Sequence, residues 1–273
     1  MTIAQPFGHE IYPESSRSPL TSQALAPWLP GIAARGTVFR RKIGPQNVWL
    51  LATAAQGLSL PRRLWAPARQ TGSAELALQL PWLPAWPALT TKPIHCVSDF
   101  NWTRVLSQAT AEIRAELRQV RASFRRARYD SKHNSKPWQT YYFYLHGRPI
   151  KEHLAACPRT SEILAEIPHN AFHVCFSAIE PGGALHPHTG PTNTSLTAHL
   201  GLLNCRGSTL HVADQAREFK DDEVLIFDDS FVHWVENRGD DIRYTLMITV
   251  WHPDLNAAER ALLRRIAPGY ADF

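Results

Sequence analysis

The stretch FHVCFSAIEPGGALHPHTGPTNTSLTAHLGLL, residues 172–203, contains two apolar runs separated by turn-forming residues. The runs Phe172–Ile179 and Leu196–Leu203 have the length and composition of β-strands, and the Pro-Gly-Gly at 181–183 is typical of a turn. The same pattern predicts three further strands: Thr209–Val212, Glu223–Phe227 and Tyr244–Trp251. Short strands without helices between them favour an antiparallel sandwich or a jelly roll, so we expect a mainly β fold.

Three helices are expected to flank the β region. The clearest spans Asn101–Arg128, where apolar residues recur at three- and four-residue spacing. A short second helix is expected between Pro158 and Pro168, and a third over Ala257–Ile266. One row of arginines on the first helix is interpreted as a solvated face: Arg114, Arg118, Arg121 and Arg125.

The N-terminal third differs in composition, because residues 1–93 hold 12 of the 21 prolines. Proline removes a backbone donor and restricts the residue before it, so long helices and central strands are not expected there. Five tryptophans are expected to anchor this chain: Trp28, Trp49, Trp65, Trp82 and Trp86. We expect an irregular Pro/Trp-rich extension over residues 1–95 that packs on the protein's own core, in preference to a partner-binding arm.

Charge and hydropathy argue against several classes of protein. A formal charge of +5 over 273 residues is too modest to imply nucleic-acid binding. No run of 18 apolar residues and no secretory signal pattern is visible in the sequence, so we expect a cytoplasmic protein without a membrane span. The four cysteines lack CxxC spacing and fit reduced thiols: Cys96, Cys157, Cys175 and Cys205.

Two histidines and an arginine are placed as an oxygenase site requires. In a jelly roll, His188 at the mouth of an early strand and His233, 45 residues later, meet across the open end and are candidate ligands for a non-haem metal. Arg243 follows at the start of a returning strand, where a fixed cation suits bidentate pairing with a dicarboxylate. This layout favours an Fe(II)- and 2-oxoglutarate-dependent oxygenase.

The carboxylate that normally completes such a site is missing. A facial triad uses His-x-Asp or His-x-Glu, but here the motif is His188-Thr189-Gly190, and glycine offers no ligand. The residues leave three alternatives open: a metal held by two histidines and water, a halide in the vacant position, or no catalytic metal.

Four sequence blocks, in this order, resemble the catalytic domain of the aspartyl/asparaginyl β-hydroxylase family across about residues 138–255. They are HTGPTN (188–193), HLGL (199–202), VLIFDDSFVH (224–233) and VWHP (250–253). The resemblance implies a cupin-like double-stranded β-helix over residues 96–273, with a leading helix. It also implies Fe(II) bound through His188 and His233 alone, with 2-oxoglutarate and O2 as cosubstrates.

The resemblance also implies roles for four further residues. Arg243 and Ser177 would hold the distal carboxylate of 2-oxoglutarate, and His199 would reach its end near the metal. Asp229 would orient the water that stands in place of the carboxylate ligand.

Departures from the family bear on the substrate. Ser195 and Thr197 stand where vertebrate members carry arginines, so charge-assisted recognition of an acidic side chain is weakened. Aromatic residues are expected to wall the barrel mouth instead: Trp138, Tyr141, Tyr142 and Tyr144. We therefore expect hydroxylation of an unactivated C–H bond in a small or medium-sized substrate, an amino-acid derivative, with release of succinate and CO2.

Three other functions are compatible with the same residues. Arg148 or Arg206 would supply the missing cations if the substrate were an Asp or Asn residue in a peptide or protein. A small residue after the first histidine would admit chloride in a non-haem iron halogenase. In a non-enzymatic cupin-like binding module, the histidines would be structural.

Overall fold

The computed structural model describes residues 78–81, 85–86, 89–128, 130 and 134–266. Residues 1–77 and 82–84 lie outside the described residues, and with them Trp28, Trp49, Trp65 and Trp82. The predicted extension over 1–95 therefore stays a prediction. Its described pieces contact the core, since Leu78 and Trp86 are buried.

The described residues form two antiparallel sheets, which confirms the predicted mainly β jelly roll, a cupin-like double-stranded β-helix. In the larger sheet the strand order is β1-β10-β7-β12-β5-β3-β2, with β4 beside β3, and in the smaller it is β6-β11-β8-β9. The strands are β1 (Ile94–His95), β2 (Arg125–Arg126), β3 (Gln139–Leu145), β4 (Arg148–Pro149), β5 (His169–Ile179), β6 (Ala184–His188), β7 (Ser195–Leu203), β8 (Ser208–Val212), β9 (Gln215–Glu218), β10 (Val224–Phe227), β11 (His233–Asn237) and β12 (Arg243–Trp251).

All five predicted strands are present, with ends shifted by up to three residues. Seven strands were not predicted: the two-residue strands β1, β2 and β4, and the longer β3, β6, β9 and β11. The last three lie in the smaller sheet and carry polar residues or proline among their apolar ones, as in Ala-Leu-His-Pro-His of β6. Such short mixed segments lack the apolar run that marks a buried strand.

The helices lie outside the barrel. Those in the described residues are α1 (Thr103–Gln108), α2 (Thr110–Val120), α3 (Lys151–Ala156), α4 (Pro158–Ala165) and α5 (Ala257–Ile266). The predicted helices after Pro158 and over Ala257–Ile266 are confirmed. Among the described residues, every helix is too short or too polar to cross a bilayer.

The single helix predicted over Asn101–Arg128 is wrong. It breaks at Ala109, whose φ of −93° and ψ of 3° lie outside the helical range. The Thr110 hydroxyl donates to the carbonyls of Leu106 and Ser107 at 3.2 and 2.9 Å, and such side-chain bonds compete with regular helix. After Val120 the chain turns, because β2 must pair with β3.

The arginine row is only partly a solvated face. Arg118, Arg121 and Arg125 are exposed. Arg114 instead donates from Nε to the Leu202 carbonyl at 2.6 Å and pairs with Asp222, which ties α2 to the end of β7.

Alternation along the central strands separates the core from the inside of the barrel. On β7, the apolar residues Leu196, Ala198, Leu200 and Leu202 belong to the core cluster that contains α1, α2 and α4. Ser195, Thr197 and His199 alternate with them, so they point toward the smaller sheet. The polar groups of this inner face form the candidate site.

Candidate functional site

His188 and His233 lie opposite each other where β6 pairs with β11. Their ring centroids are 4.2 Å apart. Nδ1 of His188 lies 2.8 Å from the His186 carbonyl, and Nδ1 of His233 lies 2.9 Å from the Phe231 carbonyl. Because a carbonyl only accepts, each Nδ1 carries the proton and each Nε2 keeps its lone pair, the arrangement of a metal-binding imidazole.

Burial favours the neutral imidazole at this pair. The pKa of His233 is held well below its ordinary value by burial first and by the neighbouring His188 second. A neutral ring is the form that binds a metal ion. In the part of the chain that the structure describes, no group of three or more His, Cys, Asp or Glu side chains is arranged to hold a metal, so the pair offers two protein ligands.

The carboxylate of Asp229 fills the space beside Gly190. A Cβ added at Gly190 would lie 2.5 Å from Asp229 Oδ1, so this glycine is required by close approach. Oδ2 accepts a 3.1 Å hydrogen bond from the Thr197 hydroxyl, whereas Oδ1 is buried and has no hydrogen-bond partner among the described residues. Burial, assisted by the neighbouring Asp228, raises the pKa of Asp229 to about 7.

Asp228, the neighbour of Asp229, has both carboxylate oxygens engaged in hydrogen bonds. Its Oδ1 accepts hydrogen bonds from the backbone N–H and the hydroxyl of Ser230, at 2.9 and 2.6 Å. This is the turn-capping arrangement of an aspartate two residues before its partner.

Arg243 is a buried cation at the inner end of the site. Its side chain is fully enclosed, with Nη1 donating to Thr245 Oγ1 at 2.8 Å and the guanidinium 4.8 Å from the Phe219 ring centroid. Its Nε is buried with no hydrogen-bond partner, and no carboxylate of the described residues forms an ion pair with it. Burial lowers the pKa of Arg243 to about 10. An unpaired buried cation is costly, and an anionic ligand would compensate it.

Thr245 connects Arg243 to His199. It was not predicted from the sequence as a site residue. Its Oγ1 lies 3.0 Å from His199 Nδ1 as well as 2.8 Å from Arg243 Nη1. Burial and the Arg243 charge lower the pKa of His199 to about 3, so this ring is neutral. The missed signal was the concentration of polar residues on one face of β12, since Arg243, Thr245 and Thr249 lie at alternating positions of an otherwise apolar strand.

Ser177 also lies in this region. It is paired with Thr245 between β5 and β12, and its Oγ accepts a 2.9 Å hydrogen bond from the indole N–H of Trp138. The structure therefore places Ser177 near Arg243, while its role toward a ligand stays a prediction.

A cleft opens beside Asp229. It is lined by Gly147, Asn170, Phe172, Pro191, Thr192, Thr194, Ser195, Asp229, Thr249, Trp251 and Leu263. Among these described lining residues, Asp229 is the one ionisable side chain. Asn170 organises the polar wall, because its amide donates to Ser195 Oγ at 2.7 Å and its carbonyl accepts from Thr249 Oγ1 at 2.6 Å.

The expected aromatic wall at the barrel mouth is wrong for Tyr141 and Tyr144. Tyr141 belongs to the helix-facing core and stacks on His153, with ring centroids 3.9 Å apart. Tyr144 packs against the same core. Strict alternation would place residues three positions apart on opposite faces, but β3 is irregular between Tyr142 and Tyr144, so both rings lie on the helix-facing side. Phe172 and Trp251 supply the aromatic surface of the cleft instead.

The fold and site together define a jelly-roll protein with a pair of facing histidines at the end of two strands and a buried arginine inside the barrel. The chain matches the family model described as aspartyl/asparaginyl beta-hydroxylase over residues 107–253, more than half of its length. It belongs to that family, which confirms the resemblance seen in its sequence.

Three relatives show the range of the similarity. The chain is 37% identical over 150 residues to human aspartate beta-hydroxylase domain-containing protein 2, covering 50% of this chain and 41% of the relative. It is 32% identical over 134 residues to human aspartyl/asparaginyl beta-hydroxylase, covering 47% and 18%. It is 29% identical over 176 residues to the ornithine lipid ester-linked acyl 2-hydroxylase of Rhizobium tropici, covering 60% and 62%. Each match spans less than two thirds of the relative's length.

Replacing Gly190 with alanine is expected to displace the Asp229 carboxylate, because the new Cβ would lie 2.5 Å from Oδ1. Overpacking a buried position costs about 1–3 kcal/mol, so the free energy of unfolding should fall by about that amount in urea denaturation. In an Asp229→Ala background the same methyl group meets no carboxylate, and its cost should drop below about 0.5 kcal/mol. Equal costs in both backgrounds would contradict this placement of Asp229.

Proposed function

We propose that this chain is an Fe(II)- and 2-oxoglutarate-dependent dioxygenase. It hydroxylates an unactivated C–H bond of a small or medium-sized amino-acid derivative and releases succinate and CO2. The observation that carries the proposal is the buried Arg243, which has no carboxylate partner among the described residues and lies inside the barrel that also holds the paired histidines.

The donor set fits a metal ion. His188 and His233 would hold it through their Nε2 atoms, since both Nδ1 atoms are engaged by backbone carbonyls. The unpaired Oδ1 of Asp229 would accept a hydrogen bond from a water beside the pair. When bound, iron with 2-oxoglutarate and O2 supplies the oxidising chemistry, while the protein provides position and exclusion of water.

The polar groups around Arg243 suit a dicarboxylate. Arg243 would pair with one carboxylate of 2-oxoglutarate, and the hydroxyls of Thr245 and Ser177 lie on the neighbouring strand positions. His199 is neutral because of its low pKa and so carries one N–H. Since Thr245 Oγ1 accepts from Arg243, its hydroxyl would donate to His199 Nδ1, and His199 Nε2–H would donate to the end of 2-oxoglutarate nearer the metal. Pairing Arg243 with an anion would relieve the cost of its burial.

The cleft favours a substrate without an acidic group at the reacting end. Among the described residues that line it, the polar wall is neutral, the remaining surface is largely apolar, and Asp229 is the one ionisable side chain. A substrate carboxylate would meet that carboxylate, while Arg148 and Arg206 are not among these lining residues and the nearby Arg264 lies over the Trp251 ring, outside the described lining. Burial of apolar surface would then supply most of the binding energy.

Asp229 also bears on the alternative halogenase. A halide in the vacant position would lie beside the Asp229 carboxylate, which occupies the space next to Gly190. The halide would therefore lack the open space that the small residue at 190 was expected to provide. This contact favours a hydroxylase over a halogenase.

The metal assignment predicts that the chain binds about one Fe(II) and that His188→Ala and His233→Ala each abolish binding and succinate formation. Retention should be weaker than in a three-ligand site, because one anionic ligand is absent. Anaerobic calorimetric titration with Fe(II) and a succinate assay measure both. His211→Gln is the matched control, since His211 stacks on Trp234 and contacts Glu236 instead of the pair. Full-affinity iron binding by either alanine variant would refute the assignment.

The cosubstrate assignment predicts that Arg243→Ala raises the KM for 2-oxoglutarate by about 30-fold or more. The physical reason is that loss of one partner of a buried charge pair costs about 2–5 kcal/mol. Arg243→Lys should recover only part of this, because lysine lacks the bidentate fork. Arg206→Ala, at an exposed turn, is the control. An unchanged KM in a folded Arg243→Ala protein, checked by circular dichroism, would place the carboxylate elsewhere.

The substrate assignment predicts a higher kcat/KM for neutral N-acyl amino-acid amides than for an Asp-containing peptide. The Ser195→Arg variant adds a cation to the cleft and should shift the preference toward the peptide. Initial rates of succinate release with each substrate measure the ratio. Efficient turnover of the Asp peptide together with no turnover of the amides would overturn this substrate class.

A further inference from the structure

A short N-terminal segment, Leu78–Leu80, runs beside the residues that lead into His233. Gln79 pairs with Phe231 as an antiparallel bridge. The Leu80 N–H donates to the Ser230 carbonyl at 2.8 Å, and the Val232 N–H donates to the Leu78 carbonyl at 2.8 Å. The backbone immediately before His233 is therefore fixed by this segment.

The same segment contacts the loop that follows His188. The Thr189 hydroxyl, which is buried, donates to the Leu80 carbonyl at 2.9 Å. Leu80 thus accepts from the neighbour of one histidine while its own N–H bonds to the loop of the other.

The side chain of Gln79 adds a third connection. Its amide donates to Asp228 Oδ2 at 3.2 Å and to Ser230 Oγ at 3.0 Å. These bonds hold the turn that carries Asp229.

The ladder between β6 and β11 does not by itself fix the two rings. His233 is the first residue of β11, and the pairing shifts by one residue between His233 and Val235. His233 also pairs with Val212 of β8, and beyond the histidine pair the Gly190 N–H donates to the Asp229 carbonyl at 2.6 Å. The irregular end of this ladder is where contacts from another segment add most to the alignment of the two loops.

We infer that Leu78–Leu80 is a positioning segment that holds His188, His233 and Asp229 in their mutual geometry. The inference rests on the proposed function. The segment lies outside residues 107–253, the part that matches the family model, so this chain completes its histidine site with residues from its N-terminal region.

The test measures Co(II) affinity of the 273-residue chain by calorimetric titration, together with the visible absorption of bound Co(II). The Gln79→Leu/Thr189→Val double variant removes both side-chain connections and should bind Co(II) about tenfold more weakly, with an altered absorption band. Thr189→Ser keeps the hydroxyl and should bind as the unaltered chain does.

Asp254→Ala is the matched control for a purely structural role. It removes another hydrogen bond of the N-terminal region, from the Thr90 N–H to Asp254 Oδ2, away from the two histidine loops. Its Co(II) affinity should stay within about twofold of the unaltered chain. Urea unfolding of every variant separates affinity from stability.

The outcomes distinguish the inference from the function on which it rests. If the unaltered chain binds Co(II) and the folded double variant binds it equally well with the same spectrum, the positioning role is wrong while the metal site stands. If Asp254→Ala weakens binding as much as the double variant does, the effect is general stability, and the positioning role is again wrong. If the unaltered chain binds no Co(II), both proposals fall.

Discussion

Side-chain alternation along β12 is the constraint on which the rest of the molecule depends. This strand lies between β5 and β7 and pairs with both over most of its length. Tyr244, Leu246 and Ile248 face the helices, while Arg243 and Thr245 face the barrel interior. A slip of one residue would turn the guanidinium into the apolar helix layer. The register of the central strands therefore fixes both the core and the site.

Two buried ionisable groups give the site its chemical character. Arg243 and Asp229 each keep one buried polar atom without a hydrogen-bond partner among the described residues. Folding the protein around such groups costs stability, and natural proteins accept that cost mainly where a ligand or a reaction requires it. Binding partners for these atoms would stabilise the native state by mass action, because they interact with the folded site and not with the unfolded chain.

The sequence was sufficient for the jelly roll and for the pairing of His188 with His233, because apolar strands and their spacing are local signals. It was insufficient where tertiary packing decides the outcome. Periodicity continued across Ala109, but the Thr110 hydroxyl and the pairing of β2 ended the helix. Tyr141 was expected at the barrel mouth, yet the face of β3 on which it lies depends on the register of the strand.

The site residues that were not predicted carry no local signal. Thr245 looks like an ordinary strand residue in the sequence, and its role is evident only from the position of its hydroxyl between Arg243 and His199. Gln79 carries no motif, and its role depends on a contact with residues about 150 positions away.

That long separation has a consequence for how the protein folds. Gln79 and Asp228 are 149 residues apart in the chain, whereas the β8–β9 hairpin closes within a few residues. Loop-closure entropy opposes distant contacts until nearer ones have formed. The hairpins of the barrel should thus assemble first, and the histidine centre should mature last, when the N-terminal segment docks. During synthesis that segment leaves the ribosome long before its binding site exists. Leu78 and Leu80 therefore stay exposed to solvent until the last strands have been synthesised.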